Sequence, residues 1–225
     1  MSAIHLVCYT GAMVAFRHTL GSVEELRSLY REPSKLVLSK KVNTLDESTR
    51  AFIAASPFAL LATSDAAGNC DVSPKGGPSG FVRVLDDEHV VLPDLNGNNL
   101  IDSLINVVTN GHAALLLLIP GRDETLRIDG PAWVTTDPEI LALWDGELRA
   151  PKAAVAIKAN STFMHCAKAF RRGRVWDAVS WADYDGAPDG CDLIVSHLGL
   201  EQSAAELRVS FEVGYAKQLA EDLPL

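Results

Sequence analysis

The chain has 225 residues, of which 48% are hydrophobic and 22% are charged, a composition typical of a folded globular protein. Its formal charge of −9 at pH 7 argues against non-specific nucleic-acid binding, which needs a basic surface to neutralise phosphates. The four cysteines show no CxxC spacing, so the usual structural zinc site is excluded. We expect a cytoplasmic protein that binds no nucleic acid, no membrane and no metal.

Residues 1–43 are predicted to form an N-terminal extension that contains one helix. Its apolar stretch at 4–16 is too short to span a bilayer and lacks the basic start of a signal peptide. A helix is predicted at 23–30, because Ser22 can cap it and Glu25 can complete a capping box. A second predicted helix, at 44–55, begins a domain that is expected to end at residue 180.

Between residues 58 and 135 the sequence predicts a meander of short strands. Apolar and β-branched runs alternate there with clusters of Gly, Pro, Asp and Asn, which is the pattern of strands joined by turns. One helix interrupts the strands at 100–108, where apolar residues recur at helical spacing. The run HAALLLLI is continuously apolar, as expected of a strand buried on both faces. The predicted strands are 58–63, 70–74, 81–85, 89–93, 112–119 and a hairpin of 125–129 with 132–135.

Helices are expected to dominate the rest of the chain. They are predicted at 137–148, 162–171 and 198–207, with one strand at 153–159. Residues 181–225 are expected to form a C-terminal extension that packs on the preceding domain. The strands are too closely spaced for repeated βαβ crossovers, so we predict a mainly β fold, an antiparallel β-barrel with peripheral helices. The chain has neither the GxGxxG dinucleotide motif nor a P-loop.

Two segments carry residue types that suit a flat ligand with a phosphate. In residues 71–83, glycines and prolines surround Lys75, so the backbone can approach a ring while the lysine faces an anion. Asn98, Asn99 and Ser103 lie at a predicted helix start, where free amides favour a phosphate. The alternatives are a plain hairpin loop with a solvated lysine and an ordinary asparagine cap.

A third segment, residues 163–176, combines aromatic, basic and thiol side chains. Helical spacing predicts that His165, Lys168 and Arg172 share one face, where cations could bind a phosphate and Trp176 could pack on a ring. The alternative is a basic helix face that stays in water. Cys166 follows His165, but neighbours on a helix point in different directions, so no catalytic residue is assigned.

Four ordered segments of the chain resemble the FMN-binding proteins related to pyridoxamine 5'-phosphate oxidase, which have a split-barrel fold. The resemblance covers residues 52–176. The segments that carry it are FIAASPFALLATSDAAGNCDVSPKGGPSGFVRVLDD, LPDLNGNNLIDSLINVVTN, LLLIPGRDETLRIDGPA and FMHCAKAFRRGRVW. The resemblance implies an antiparallel split barrel and a homodimer that holds FMN in a cleft between its subunits.

The resemblance also implies which residues bind the cofactor. Those expected to line the isoalloxazine ring from one subunit are Val72, Ser73, Pro74, Lys75, Leu92, Pro93 and Asp94. Those expected near the phosphate are Asn98, Asn99 and Ser103. Those expected to close the site from the second subunit are His165, Lys168, Arg172, Arg174 and Trp176.

The chain departs from the family's pattern at one place. Where relatives carry one or two arginines after a Gly-Asn turn, this chain has Asn99 and Leu100. The loss of a charge-assisted phosphate contact costs about 1.5–3 kcal/mol, and Lys75, Arg127 or Arg172 are candidates to replace it. The resemblance implies a flavin-dependent oxidoreductase of unspecified substrate. A non-catalytic flavin or haem carrier and a dimeric barrel without cofactor are the alternatives.

Overall fold

A computed structural model of the chain describes residues 5–9, 12–16 and 18–224. The chain divides into two compact units between Lys40 and Lys41. The first unit contains the antiparallel strands β1 (His5–Tyr9) and β2 (Ala12–Phe16) and the helices α1 (Val23–Ser28) and α2 (Lys35–Ser39). The amide of Glu25 donates to the Ser22 hydroxyl over 3.1 Å, so the predicted cap of α1 is confirmed.

The second unit holds the larger sheet and the remaining helices. Its strands are β3 (Phe58–Ser64), β4 (Cys70–Gly76), β5 (Arg83–Val84), β6 (His89–Pro93), β7 (His112–Leu118), β8 (Thr125–Thr135), β9 (Ala154–Lys158) and β10 (Ser161–His165). Its helices are α3 (Glu47–Ala55), α4 (Asp102–Asn110), α5 (Pro138–Leu141), α6 (Lys168–Gly173), α7 (Gly190–Leu198) and α8 (Ala204–Glu221). Two 3-10 helices occur at Ala142–Trp144 and Ala178–Tyr184.

The larger sheet has eight strands, all paired antiparallel. Their order is β4-β3-β7-β8-β9-β6-β5, and β10 pairs with β8 beside this path. The sheet does not close on itself, and helices flank it. The predicted class is confirmed, because this is a mainly β, antiparallel, split-barrel-like fold. Since β4 pairs with β3 alone among the described strands, one side of its backbone stays open at the sheet edge.

The strand β8 is continuous, so the predicted hairpin at 125–135 is wrong. The first half of β8 pairs with β7 and β10, and its second half pairs with β9. Where these partners change, the amide of Asn160 donates to the Asp129 carbonyl over 3.0 Å. A Cβ on Gly130 would overlap the Lys158 carbonyl oxygen, so only glycine allows the β9–β10 connection to pass this close.

The main core lies between the inner faces of the sheet and the helices α3 and α4. Alternate residues of the strands supply it, as the burial of Ala59 and Leu61 in β3 and of Leu115 and Leu117 in β7 shows. The other face of β7 is half-buried, which corrects the prediction that both of its faces are buried. Its continuous run of leucines gave no sign of this difference between the faces.

A smaller apolar cluster covers the opposite side of β6. Val90 and Leu92 belong to the main core, whereas Val91 packs with Trp144 and Leu148 in the second cluster. Trp144 is fully buried, and its indole N–H donates to the Phe81 carbonyl over 2.8 Å. The strand β6 is therefore buried on both faces, and this fixes the position of its carboxyl end.

The segment at 162–171, predicted as one helix, forms β10 and then the short helix α6. Thr162 and Phe163 pair with β8 in register with Ile128 and Arg127, so a free strand edge determines their conformation. His165 thus ends a strand while Lys168 begins a helix, and the predicted common face of His165, Lys168 and Arg172 does not exist.

The C-terminal helices differ from the single helix predicted at 198–207. The helix α7 ends at Gly199, whose φ of 59° favours glycine, and α8 begins after Ser203. The carboxylate of Glu206 and the Ser203 side chain complete a capping box at the start of α8. Among the described residues, no helix combines the length and the apolar composition needed to cross a membrane.

Candidate functional site

A cleft of about 620 Å³ opens beside the edge strand β4. Its walls are β4, the carboxyl end of β6, the loop that follows at 94–101, the first turn of α4 and the end of α8. Small-molecule sites usually enclose about 300–1,000 Å³, so this cleft is large enough for a ligand with several rings.

The cleft brings together most of the residues that the sequence predicts for the ring and the phosphate. The predicted residues that line it are Val72, Ser73, Pro74, Lys75, Pro93, Asp94, Asn98, Asn99 and Ser103. Leu92 does not line it, because its side chain is in the main core and only 1% exposed. The two predicted segments meet because β4 and the end of β6 border the same opening.

The β4 wall presents an open backbone edge and one cation. A proline has no backbone N–H to donate to a neighbouring strand. Pro74 is tolerated in β4 because β4 is an edge strand, which pairs with β3 on one side only among the described strands. Ser73 and Lys75 share the half-buried face of β4, and the Lys75 ammonium donates to the Ser73 hydroxyl over 2.7 Å. The lysine is therefore held near the cleft wall.

Where β4 contacts the first turn of α4, the cleft wall is organised around Asp71. The buried Ser103 hydroxyl donates to the Asp71 carboxylate over 2.6 Å. Thr63 contacts the same carboxylate oxygen at 3.5 Å and accepts a hydrogen bond from the Asn106 amide at 3.0 Å. The sequence predicts that the Ser103 hydroxyl donates a hydrogen bond to a phosphate. In the structure it already donates to the Asp71 carboxylate of the same chain.

The loop before α4 has a tight, irregular backbone. Asn99 and Ile101 adopt positive φ values of 59° and 53°. The Asn98 side chain accepts a hydrogen bond from the Leu100 amide over 3.0 Å, and no side chain caps α4. Asp102 lies in the first turn, so the positive end of the helix dipole already has a carboxylate beside it.

The end of α8 forms part of the cleft, which the sequence analysis did not predict. Leu219 and Asp222 line the opening. The Asp222 carboxylate accepts a hydrogen bond from the Asn96 amide over 3.3 Å, and its carbonyl accepts one from the Arg149 amide over 2.8 Å. No local motif marks these residues, because only the path of the C-terminal helices brings them here.

The electrostatic character of the cleft is acidic. The carboxylates that line it belong to Asp71, Asp94, Asp102 and Asp222. Lys75 supplies the one positive charge among the described lining residues. An acidic cleft of this kind raises the local concentration of neutral and cationic ligands relative to anionic ones.

Asp94 is half-buried, and its burial raises the pKa of its carboxyl group, although the positive charges of Lys75 and Lys152 oppose this shift. Ionised Asp94 therefore destabilises the folded state at neutral pH.

We expect Asp94→Asn to raise the melting temperature at pH 7, and the gain to vanish by about pH 3, where the Asp94 carboxyl group is protonated in both the folded and the unfolded state. Calorimetry across this range measures the effect. Asp145→Asn, at an exposed site outside the cleft, is the control, and a gain that persists at pH 3 would contradict this origin.

The basic and aromatic residues predicted to close the site lie outside this cleft in the single chain. They are His165, Lys168, Arg172, Arg174 and Trp176, on β10, α6 and the turn that follows. The Trp176 indole stacks on Phe170 at 5.7 Å and donates to the Arg122 carbonyl over 2.7 Å. Arg174 pairs with Asp177 at 2.9 Å, whereas Lys168 and Arg172 are exposed. Their place in a dimer stays a prediction.

Arg127 belongs to a different cavity of about 650 Å³, together with Lys41, Asn160 and Ser161. Its guanidinium lies 3.1 Å from the Asp129 carboxylate and covers the Phe163 ring. Arg127 therefore does not compensate within the chain for the arginine missing from the first cleft. In the part of the chain that the structure describes, no group of three or more His, Cys, Asp or Glu side chains could hold a metal ion.

Three solved structures are similar to parts of the chain. HupZ of Group A Streptococcus shares 22% identity with the chain, over 53% of this chain and 92% of its own, with a TM-score of 0.45. A protein of Lactobacillus delbrueckii described as a putative pyridoxamine 5'-phosphate oxidase shares 25% identity, over 55% and 98%, with a TM-score of 0.43. An FAD binding protein of Mycobacterium smegmatis shares 12%, over 55% and 98%, with a TM-score of 0.37.

No curated protein matches the chain. The model of the family described as pyridoxamine 5'-phosphate oxidase matches residues 45–166, which is more than half of the chain. The matched region contains the sheet from β3 to β10 and the cleft walls built by β4, β6 and α4. The chain therefore belongs to the pyridoxamine 5'-phosphate oxidase family.

Proposed function

We propose that the protein binds a flavin in the cleft beside β4 and acts as a flavin-dependent oxidoreductase. The observation that carries this proposal is that the family-matching segment folds into a ligand-sized cleft with an open strand edge and a fixed lysine. A bound isoalloxazine ring would supply the redox chemistry, and the chain would bind and orient it.

The ring half of a flavin fits the β4 side of the cleft. Val72, Pro74 and Pro93 offer apolar contacts for a flat ring, and the open edge of β4 offers backbone groups for the ring's polar rim. Lys75 would place a positive charge beside the ring and so favour its reduced, anionic state. FMN is the flavin that the resemblance implies, but the described lining of the cleft does not fit a phosphate well, because it presents four carboxylates, one lysine and no arginine.

We also propose that the protein is a homodimer. Ile105 and Val108 are spaced along one face of α4, Ile101 directly precedes the helix, and the three side chains are 49%, 73% and 50% exposed. Water contact with such an apolar face beside a ligand cleft is unfavourable, and a second copy of the chain would cover it. The exposed Lys168 and Arg172 belong to the segment that the resemblance assigns to the contact between subunits.

We propose the cytoplasm as the location of the protein. Among the described residues, Cys70, Cys166 and Cys191 are free thiols. Free thiols are typical of reducing compartments, since disulfides form and persist in oxidising ones. The substrate and the electron donor are left open by this proposal.

Flavin binding is tested by the absorbance of the purified protein and by titration with flavins.

We expect Lys75→Ala to weaken flavin binding by about tenfold and to lower the reduction potential of the bound flavin, because a charge-assisted contact is lost. Lys152→Ala is the matched control, since Lys152 also acts on Asp94 but does not line the cleft. Unchanged affinity and potential in Lys75→Ala would argue against this role. Turnover with a nicotinamide or deazaflavin donor distinguishes an enzyme from a carrier.

A further inference from the structure

We propose that the cleft selects a flavin whose side chain is uncharged, as in riboflavin, over one that ends in a phosphate, as in FMN. This inference deepens the proposed function and rests on it. It concerns the part of the cleft wall formed by the loop at 96–101, the first turn of α4 and the end of α8.

The first reason is the charge of that wall. Asp102 and Asp222 belong to it, Asp71 of β4 contacts its Ser103, and Lys75 is held on β4 by the Ser73 hydroxyl. A phosphate dianion would face carboxylates across a partly desolvated cleft, where like charges repel more strongly than in bulk water. The start of α4, which elsewhere favours phosphates, has its own carboxylate in Asp102.

The second reason is the state of the hydrogen-bond donors. The Ser103 hydroxyl donates to Asp71 at 2.6 Å, so it has no second proton to offer a phosphate. Carboxylates need donors, and the hydroxyl groups of a ribityl chain are donors. A neutral polyol therefore satisfies this wall through charge-assisted hydrogen bonds, whereas a phosphate cannot.

The third reason is that no described lining residue replaces the arginine that relatives carry after the Gly-Asn turn. Leu100 lines the cleft at that position and is 62% exposed. Arg127, a candidate to replace it, borders the other cavity and pairs with Asp129. Within the chain, then, the described lining residues provide no cation for a phosphate near α4.

The test is a titration of the full-length protein with riboflavin and with FMN at low salt, followed by flavin fluorescence. We expect riboflavin to bind at least about tenfold more tightly, with the difference shrinking as salt screens the carboxylates. Equal or tighter binding of FMN would overturn the inference and leave flavin binding intact, and would indicate that cations of a second subunit reach the phosphate. If neither flavin binds, the inference and the proposed function both fail.

A charge-neutralising variant locates the origin of the selectivity. We expect Asp102→Asn to raise the affinity for FMN by about threefold or more and to lower that for riboflavin, because it removes a charge that repels the phosphate and a charged acceptor for the ribityl hydroxyls. Asp185→Asn removes the same charge at an exposed residue outside the lining and should change neither affinity. Parallel shifts of both affinities in Asp102→Asn would contradict discrimination by charge.

Discussion

Leu100→Arg is expected to raise the affinity for FMN by about ten- to a hundredfold and to leave riboflavin binding nearly unchanged. Leu100 lies on the cleft wall and is 62% exposed, so a longer side chain can extend without disturbing the core. A guanidinium there could bind the phosphate in a bidentate way and offset the nearby carboxylates. Isothermal titration with the two flavins measures the effect directly.

The control for this variant is Leu198→Arg. Leu198 is 69% exposed at the end of α7, so the substitution adds the same charge outside the cleft lining. An equal gain in FMN affinity from both variants would mean that net charge, and not a local contact, limits phosphate binding. No gain from Leu100→Arg would show that the phosphate does not lie at this end of the cleft.

Gly130→Ala is expected to destabilise the protein by about 3 kcal/mol or more. The added Cβ would overlap the Lys158 carbonyl oxygen, so β9 and β10 would have to move away from β8. That movement breaks the hydrogen bond from the Asn160 amide to the Asp129 carbonyl. Urea unfolding followed by circular dichroism measures the loss.

The matched control for this variant is Gly186→Ala. A Cβ at Gly186 meets no atom within 4 Å, and its backbone needs no positive φ. The substitution should therefore be neutral or slightly stabilising, because alanine reduces the freedom of the unfolded chain. A loss below about 1 kcal/mol in Gly130→Ala would show that the β9–β10 connection moves away from β8 easily.

Local sequence patterns predicted the elements whose bounds depend on neighbouring residues, such as turns at both ends of a strand. The strand β6 has the predicted bounds, His89–Pro93, because turns punctuate it on both sides. The strand β10 was missed, because its conformation depends on the free edge of β8, which lies more than 30 residues earlier in the chain. A Cys-Ala-Lys-Ala-Phe sequence after it favours a helix and concealed the strand.

The same distinction holds for the candidate site. The segments around Lys75 and Asn98 were found because glycine, proline and asparagine mark loops that can approach a ligand. The roles of Asp71 and Asp222 were not found, because one depends on a hydrogen bond to Ser103 and the other on the path of α8. The acidic character of the cleft follows from these placements, and no single segment of the sequence displays it.

The most direct test of flavin binding in this cleft is a crystal structure of the protein with riboflavin bound. The ring should lie along the open edge of β4, between Lys75 and Pro93, with its ribityl chain directed toward Asp102. A ring bound instead in the cavity bordered by Lys41 and Arg127, or a cleft that stays empty at saturating riboflavin, would contradict both the location and the function proposed.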